Sequence, residues 1–172
     1  MGLSQVMSTL ILLVSSTLMA SGTVVYYSLT VRSAATHQEQ LVVADACVWV
    51  NASGAQAALI IQNAGGVDAS IKAVEIRYKE MPLEGVFYTQ AIGYNLVPVE
   101  GLNITGSFIR TLGDAVLSFE KATGSITIPV GGEVVIYVDE PPAGIKDIGT
   151  IVSVVVQTNA NIYMALAEVG IA

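Results

Sequence analysis

Hydrophobic positions along this chain fall into two regimes with different periods. From Met1 to Val31 no side chain is charged, and runs such as Leu10-Ile11-Leu12-Leu13-Val14 put apolar groups on every side of any helix they form. At about 1.5 Å per residue that helix runs roughly 45 Å, more than the roughly 30 Å of a bilayer core. A helix apolar all round must be surrounded by lipid or by other apolar helices. From Arg32 to Asp45 polar residues take one side and alanines, Leu41 and Val42 the other. This predicts that the helix continues as an amphipathic stem. Gly22 interrupts the apolar run, as a site of close helix packing or as a hinge. Small residues four apart, such as Ser4 with Ser8 and Thr17 with Ser21, suit close approach of neighbouring helices.

Beyond residue 45 the period shortens to two. Short β-prone runs at Cys47–Asn51, Gln56–Gln62, Ser70–Tyr78, Val86–Ile92, Ser125–Pro129, Glu133–Val138, Ile151–Thr158 and Asn161–Val169 are separated by turn residues such as Asn63-Ala64-Gly65-Gly66 and Gly131-Gly132. Val134, Ile136 and Val138 alternate as in a half-buried strand, whereas Ile151–Val156 is almost continuously apolar and is expected to be central. Pro98–Lys121 is less regular and reads as an exposed loop with a short strand or a turn of helix. The expected architecture is α+β: a long N-terminal hydrophobic helix and stem over residues 1–45, then an all-β immunoglobulin-like sandwich head over 46–172.

Composition narrows the function classes. Charged residues are only 12% of the chain, against about 25% in ordinary soluble domains, so the surface suits being covered by neighbours. Fourteen acids and seven bases give a net charge of −7. Because Arg32, Glu39 and Asp45 are the only charges before residue 46, the head keeps 12 acids and 6 bases, a poor balance for binding nucleic acid. A lone cysteine, Cys47, allows neither an intramolecular disulfide nor a multi-cysteine metal site. His37 lies ten residues before Cys47, which on one helix faces elsewhere, and a blue-copper site needs a second histidine. Cys47 is expected as a small buried hydrophobe at the helix-to-sheet junction and His37 as a solvated stem residue. Asp139-Glu140 with Asp147 could offer oxygens to calcium, but the spacing of a calcium-binding loop is missing. No catalytic residue, cofactor or metal is expected, and the chain does not read as an enzyme. Two N-glycosylation triplets occur, Asn51-Ala52-Ser53 and Asn103-Ile104-Thr105, both in turn regions of the head.

A secretory signal carries its basic residues ahead of the apolar core, and a membrane anchor usually has them on its cytoplasmic side; here the first cation is Arg32, behind the apolar run. Met1-Gly2-Leu3-Ser4-Gln5-Val6, followed by an uncharged rod, an amphipathic continuation and a β head, resembles the mature N-terminus of an archaeal type IV pilin, a superfamily that includes archaeal flagellins. The units Leu59–Gly66 with Ile71–Val74, and Val154–Tyr163, are similar to the strand-turn-strand pieces of such heads. The resemblance implies that a leader peptidase cuts before Met1, making it the mature N-terminus. Gln5 then stands where bacterial relatives carry glutamate. It further implies that the chain polymerises, after handling by a pilus assembly machinery, into an extracellular adhesive filament. Leu3, Val6, Leu10, Leu13, Thr17 and Val24 would pack in the helical core, and apolar residues of each head would meet neighbouring heads. The membrane would be a partner only before assembly. Two other readings stay open: a flagellin of a rotating filament, and a single-pass membrane-anchored binding module.

Overall fold

The computed structural model describes residues 2–35, 38–91, 96–100 and 106–172, and within the N-terminal helix the side chains of residues 6–28. The chain divides into two compact units, Met1–Gln38 and Glu39–Ala172. The first is a single α-helix, α1, over Gly2–Ala35. It runs unbroken through Gly22, where an added Cβ would meet nothing within 4 Å. The second unit is almost entirely β.

Among the described residues eleven strands make up one hydrogen-bonded sheet: β1 (Leu41–Asn51), β2 (Gly54–Asn63), β3 (Ala69–Ile76), β4 (Lys79–Met81), β5 (Val86–Ala91), β6 (Phe108–Leu112), β7 (Ala115–Lys121), β8 (Ile126–Ile128), β9 (Glu133–Asp139), β10 (Ile151–Thr158) and β11 (Ile162–Ile171). They lie in the order β4-β3-β10-β11-β1-β2-β9-β5-β7-β6, with β8 paired to β3. All the pairings are antiparallel except β1 with β11, which run parallel from Val48 opposite Val169 to Val50 opposite Ile171.

The stem ends earlier than the expected boundary at residue 45. Thr36 and His37 lie outside the described residues, and Leu41–Asp45, read as amphipathic helix, is strand. Leu41 pairs with Asn63 and Val43 with Ile61, and Leu41 is buried in the head's core. Leu41 and Val42 face opposite sides of the strand, and a bulge between Val43 and Asp45 then slips the register and leaves Ala44 and Asp45 exposed, which breaks the period of two.

Two apolar clusters hold the head. The larger joins Val48, Leu59, Ile61 and Ile136 of β1, β2 and β9 to Ile76, Val154 and Val169 of β3, β10 and β11. The smaller gathers Ala58, Ile60, Val135, Tyr137 and Phe87 under Leu117 and Phe119 of β7. Successive residues of β2 and β9 therefore point into different clusters, and Val134–Val138 is buried on both faces rather than half-buried. Hence the segment expected as an exposed loop, Pro98–Lys121, is corrected in its second half: β6 and β7 form a hairpin that covers this outer face. Phe108 stacks on Phe119 with ring centroids 4.6 Å apart, and Tyr137 meets Phe119 edge-on at 5.1 Å. The Arg110 guanidinium lies 4.9 Å from the Tyr137 ring centre and donates to the Val99 carbonyl, which also accepts the Tyr137 hydroxyl. As expected, β10 is central in its pairing, with β3 on one side and β11 on the other, but its outer face is open at Ile151.

Buried Asn63 closes the β2–β3 turn. Its amide donates to the carbonyls of Val67 and Ile128 and its carbonyl accepts from Gly65, so one side chain ties the turn to β8. At the β3–β4 turn both central residues have positive φ, Arg77 at 51° and Tyr78 at 63°. A two-residue hairpin turn asks for this geometry and normally takes Asn-Gly there. Tyr78 is 88% exposed, with little packing to offset the left-handed backbone. Tyr78→Gly is expected to stabilise the head by about 1 kcal/mol, a rise of a few degrees in Tm by differential scanning calorimetry.

Arg77 is held instead by an ion pair, 2.9 Å to Asp147. The Gly144 backbone N–H and, next, the Arg77 guanidinium hold the Asp147 carboxyl below the usual carboxylate range. Its folded-state pKa being depressed, its contribution is complete above the unfolded value of about 3.9 and is lost as pH falls through the folded one. Asp147→Asn is expected to lower Tm at neutral pH and to shrink the loss of Tm on acidification below about pH 4. Thermal melts of both chains across pH would check this.

Candidate assembly surfaces

Helix α1 is the first surface. Val6–Ser28 carries no charge, has a mean hydropathy of 1.7 and is not buried within the chain; by length and composition it could cross a membrane. Consecutive residues Leu10, Ile11, Leu12 and Leu13 are all exposed, so no side of the helix is polar. The hydroxyls inside this rod turn back on their own backbone: Thr9 donates to Val6, Ser16 and Thr17 to Leu13, Ser21 to Thr17, Thr23 to Met19 and Ser28 to Val25. A hydroxyl satisfied within its own helix can enter an apolar environment without leaving a donor unpaired. The polar residues of the rod thus do not stop it from being buried on all sides.

Of the residues expected in a helical core, Val6, Leu10, Leu13 and Val24 are large apolar side chains open to solvent, and Thr17 is exposed with its hydroxyl bonded inward. Leu3 lies within α1 with its side chain outside the described residues, and Met1 lies outside them altogether. On one side of α1, Leu18, Ser21, Gly22, Val25 and Tyr26 line a shallow apolar depression, which exists because Gly22 has no side chain to fill it.

The second surface is the outer face of β10 and β11. Ile162, Met164 and Leu166 alternate along β11 and are 69%, 67% and 67% exposed; Ile151 of β10 is equally open. Sequence reading placed these strands but not this face. Over Ile162–Leu166 every residue of β11 is apolar or aromatic, on both sides of the strand, so hydropathy alone does not separate inside from outside. The signal is the pairing: β10 and β11 bury Val152, Val154, Val156, Ala167 and Val169 on one face, which leaves the opposite set outward.

The groups weighed for chemistry are not brought together. Asp147 is taken up by Arg77 and Gly144, while the Asp139 carboxyl is pushed up first by burial and then by the neighbouring Glu140 charge. Among the described residues no three His, Cys, Asp or Glu side chains are placed to hold a metal ion. Cys47 is half-buried well inside β1 rather than at a helix-to-sheet junction. Burial, and then the Asp45 carboxylate beside it, push its thiol up to about 11, so it stays protonated and poorly nucleophilic at neutral pH. Asn51 ends β1, and its side-chain carbonyl accepts from the backbone N–H of Ser53 at 2.7 Å and of Gly54 at 3.2 Å, with Ala52 and Ser53 exposed beside it. Asn103 lies outside the described residues. No protein-family model matches the chain, and no curated protein matches it either.

Proposed function

We propose that this chain is the structural subunit of an extracellular filament of the archaeal type IV pilus kind, polymerising through α1 and serving adhesion. One observation carries the reading: a charge-free rod, apolar on every side and with its hydroxyls satisfied internally, precedes a folded β head. Every thousand Å² of such surface removed from water is worth about 25 kcal/mol before entropy is subtracted, and only lipid or many copies of the same helix can cover all sides at once. Repeated contact between unlike surfaces, with a rotation that does not close, gives an open helix of subunits. The leader peptidase, the assembly machinery and a transient stay in the membrane belong to this reading.

An immunoglobulin-like head fits the strand order. Lettered in chain order, β1-β2-β9-β5 correspond to the ABED sheet and β3-β10-β11 to CFG, with β6–β8 inserted between D and E. Asn51, half-buried at the end of β1 beside the exposed Ala52 and Ser53, is the glycan acceptor that lies within the described residues.

The test is electron microscopy of detergent-free material sheared from cells, with mass spectrometry of the N-terminus and of the Asn51 peptide. Uniform filaments are the expected result. Recovery only as detergent-bound monomers would overturn it in favour of the membrane-anchored binding module, for which α1 is long enough. Filaments whose loss stops cell rotation but not attachment would make the chain a flagellin.

A further inference from the structure

We infer that the outer face of β10–β11 docks on α1 of a second copy, with Met164 seated over Ser21 and Gly22. This rests on the filament reading above. Four large apolar side chains, Ile151, Ile162, Met164 and Leu166, stand about two-thirds exposed on this face; Glu168 lies opposite Ile151, and Glu75, which accepts from Gln157, lies opposite Val155. Such a row offers a few hundred Å², the size of patch that marks an interaction site on a monomer.

Area selects the occupant. Two such rows face to face would bury less than the total of about 1,200 Å² at which stable interfaces begin. A contact with α1 need not reach that total alone, because in the filament it adds to the area that α1 buries against other helices, and the flank left over is still apolar. Shape selects the segment. Leu18, Ser21, Gly22 and Val25 stand at i, i+3, i+4 and i+7, the four positions that make a hole for an incoming side chain, and the two middle ones are small. Met164, unbranched and at the centre of the β11 row, is the knob that can reach the floor of such a hole. From Ile162 to Leu166 the strand advances about 14 Å, which matches about nine residues of helix, so Ile162 and Leu166 fall on the turns either side of the hole. Apolar residues of the head thereby meet a neighbour's helix, not a neighbour's head.

The test introduces a benzophenone side chain at position 164 into cells that also make an isotope-labelled chain, and maps the cross-links in sheared filaments. Heavy-to-light cross-links from position 164 to residues 18–26 are expected. In parallel, Met164→Asp is expected to cut filament yield at least tenfold with an unchanged melt of the head, while Val116→Asp, equally exposed on β7, leaves yield unchanged. Intact filaments in which position 164 links to another head, or in which Met164→Asp assembles like the parent, would overturn the docking and leave the filament reading standing. Failure of the unmodified chain to form filaments would overturn both.

Discussion

Leu13→Asp is expected to abolish assembly while leaving the head folded. Leu13 lies in the middle of Val6–Ser28, on a helix with no charge to pair with and no polar side to turn outward. Moving a carboxylate from water to the centre of an apolar span costs about 2.5–3.5 kcal/mol on insertion scales, and the leucine it replaces had favoured burial. About 3 kcal/mol is two factors of ten in an association constant, and the cost recurs at every subunit added. The same charge hinders the stay in the bilayer before assembly, so the yield of sheared filaments should fall below detection. A calorimetric melt of the head within a degree of the parent would show that the defect is confined to α1. Normal filaments from this chain would mean that Leu13 faces solvent in the polymer, and with it the idea of a helical core would fail.

Phe119→Ala is expected to have the largest effect on the head itself. The Phe119 ring is fully buried, stacked on Phe108 and met edge-on by Tyr137, and it is the main weight pressing the β6–β7 hairpin onto β2 and β9. Removing a buried aromatic ring costs about 3–5 kcal/mol, a large share of the 5–15 kcal/mol that holds a typical domain together. For a head of this size that lowers Tm by about 10–20 °C. A detached hairpin would uncover Ile60 and Val135, so dye binding to exposed apolar surface should rise before the main transition. A shift of only a degree or two would show that the hairpin contributes little to the cover.

These two sites differ in how far the sequence reveals them. Thirty-one residues without charge, apolar at every angle, leave few options, and the helix follows from composition almost alone. Strands bounded by Gly, Asn and Pro were equally legible: Ile151–Thr158 is strand over the whole expected range, and Gly131-Gly132 and Ala64-Gly65-Gly66 lie in the connections between strands. What hid were features that depend on a partner elsewhere in the chain. Leu41–Asp45 carries a bulge, which breaks the period of two. Phe108 and Phe119 lie in a segment rich in small and polar residues, and their burial comes from stacking on each other and on Tyr137 rather than from any run of hydrophobes. Val135 and Tyr137 lie inside rather than outside only because that hairpin returns over them. The β10–β11 face is legible only once the pairing says which side of each strand is already covered.

The pairing of β1 also has a mechanical consequence. The chain enters the head at Glu39 and passes directly into β1, which is bonded to β2 from Leu41 to Asn51 and to β11 at its far end. Tension applied at Glu39 along β1 runs parallel to its neighbours and across their hydrogen bonds. Bonds loaded in this way share the force and must fail together, whereas a strand peeled from its end gives them up one by one. On the filament reading, a head strung on this strand and pulled along it stays folded until much of the ladder lets go at once.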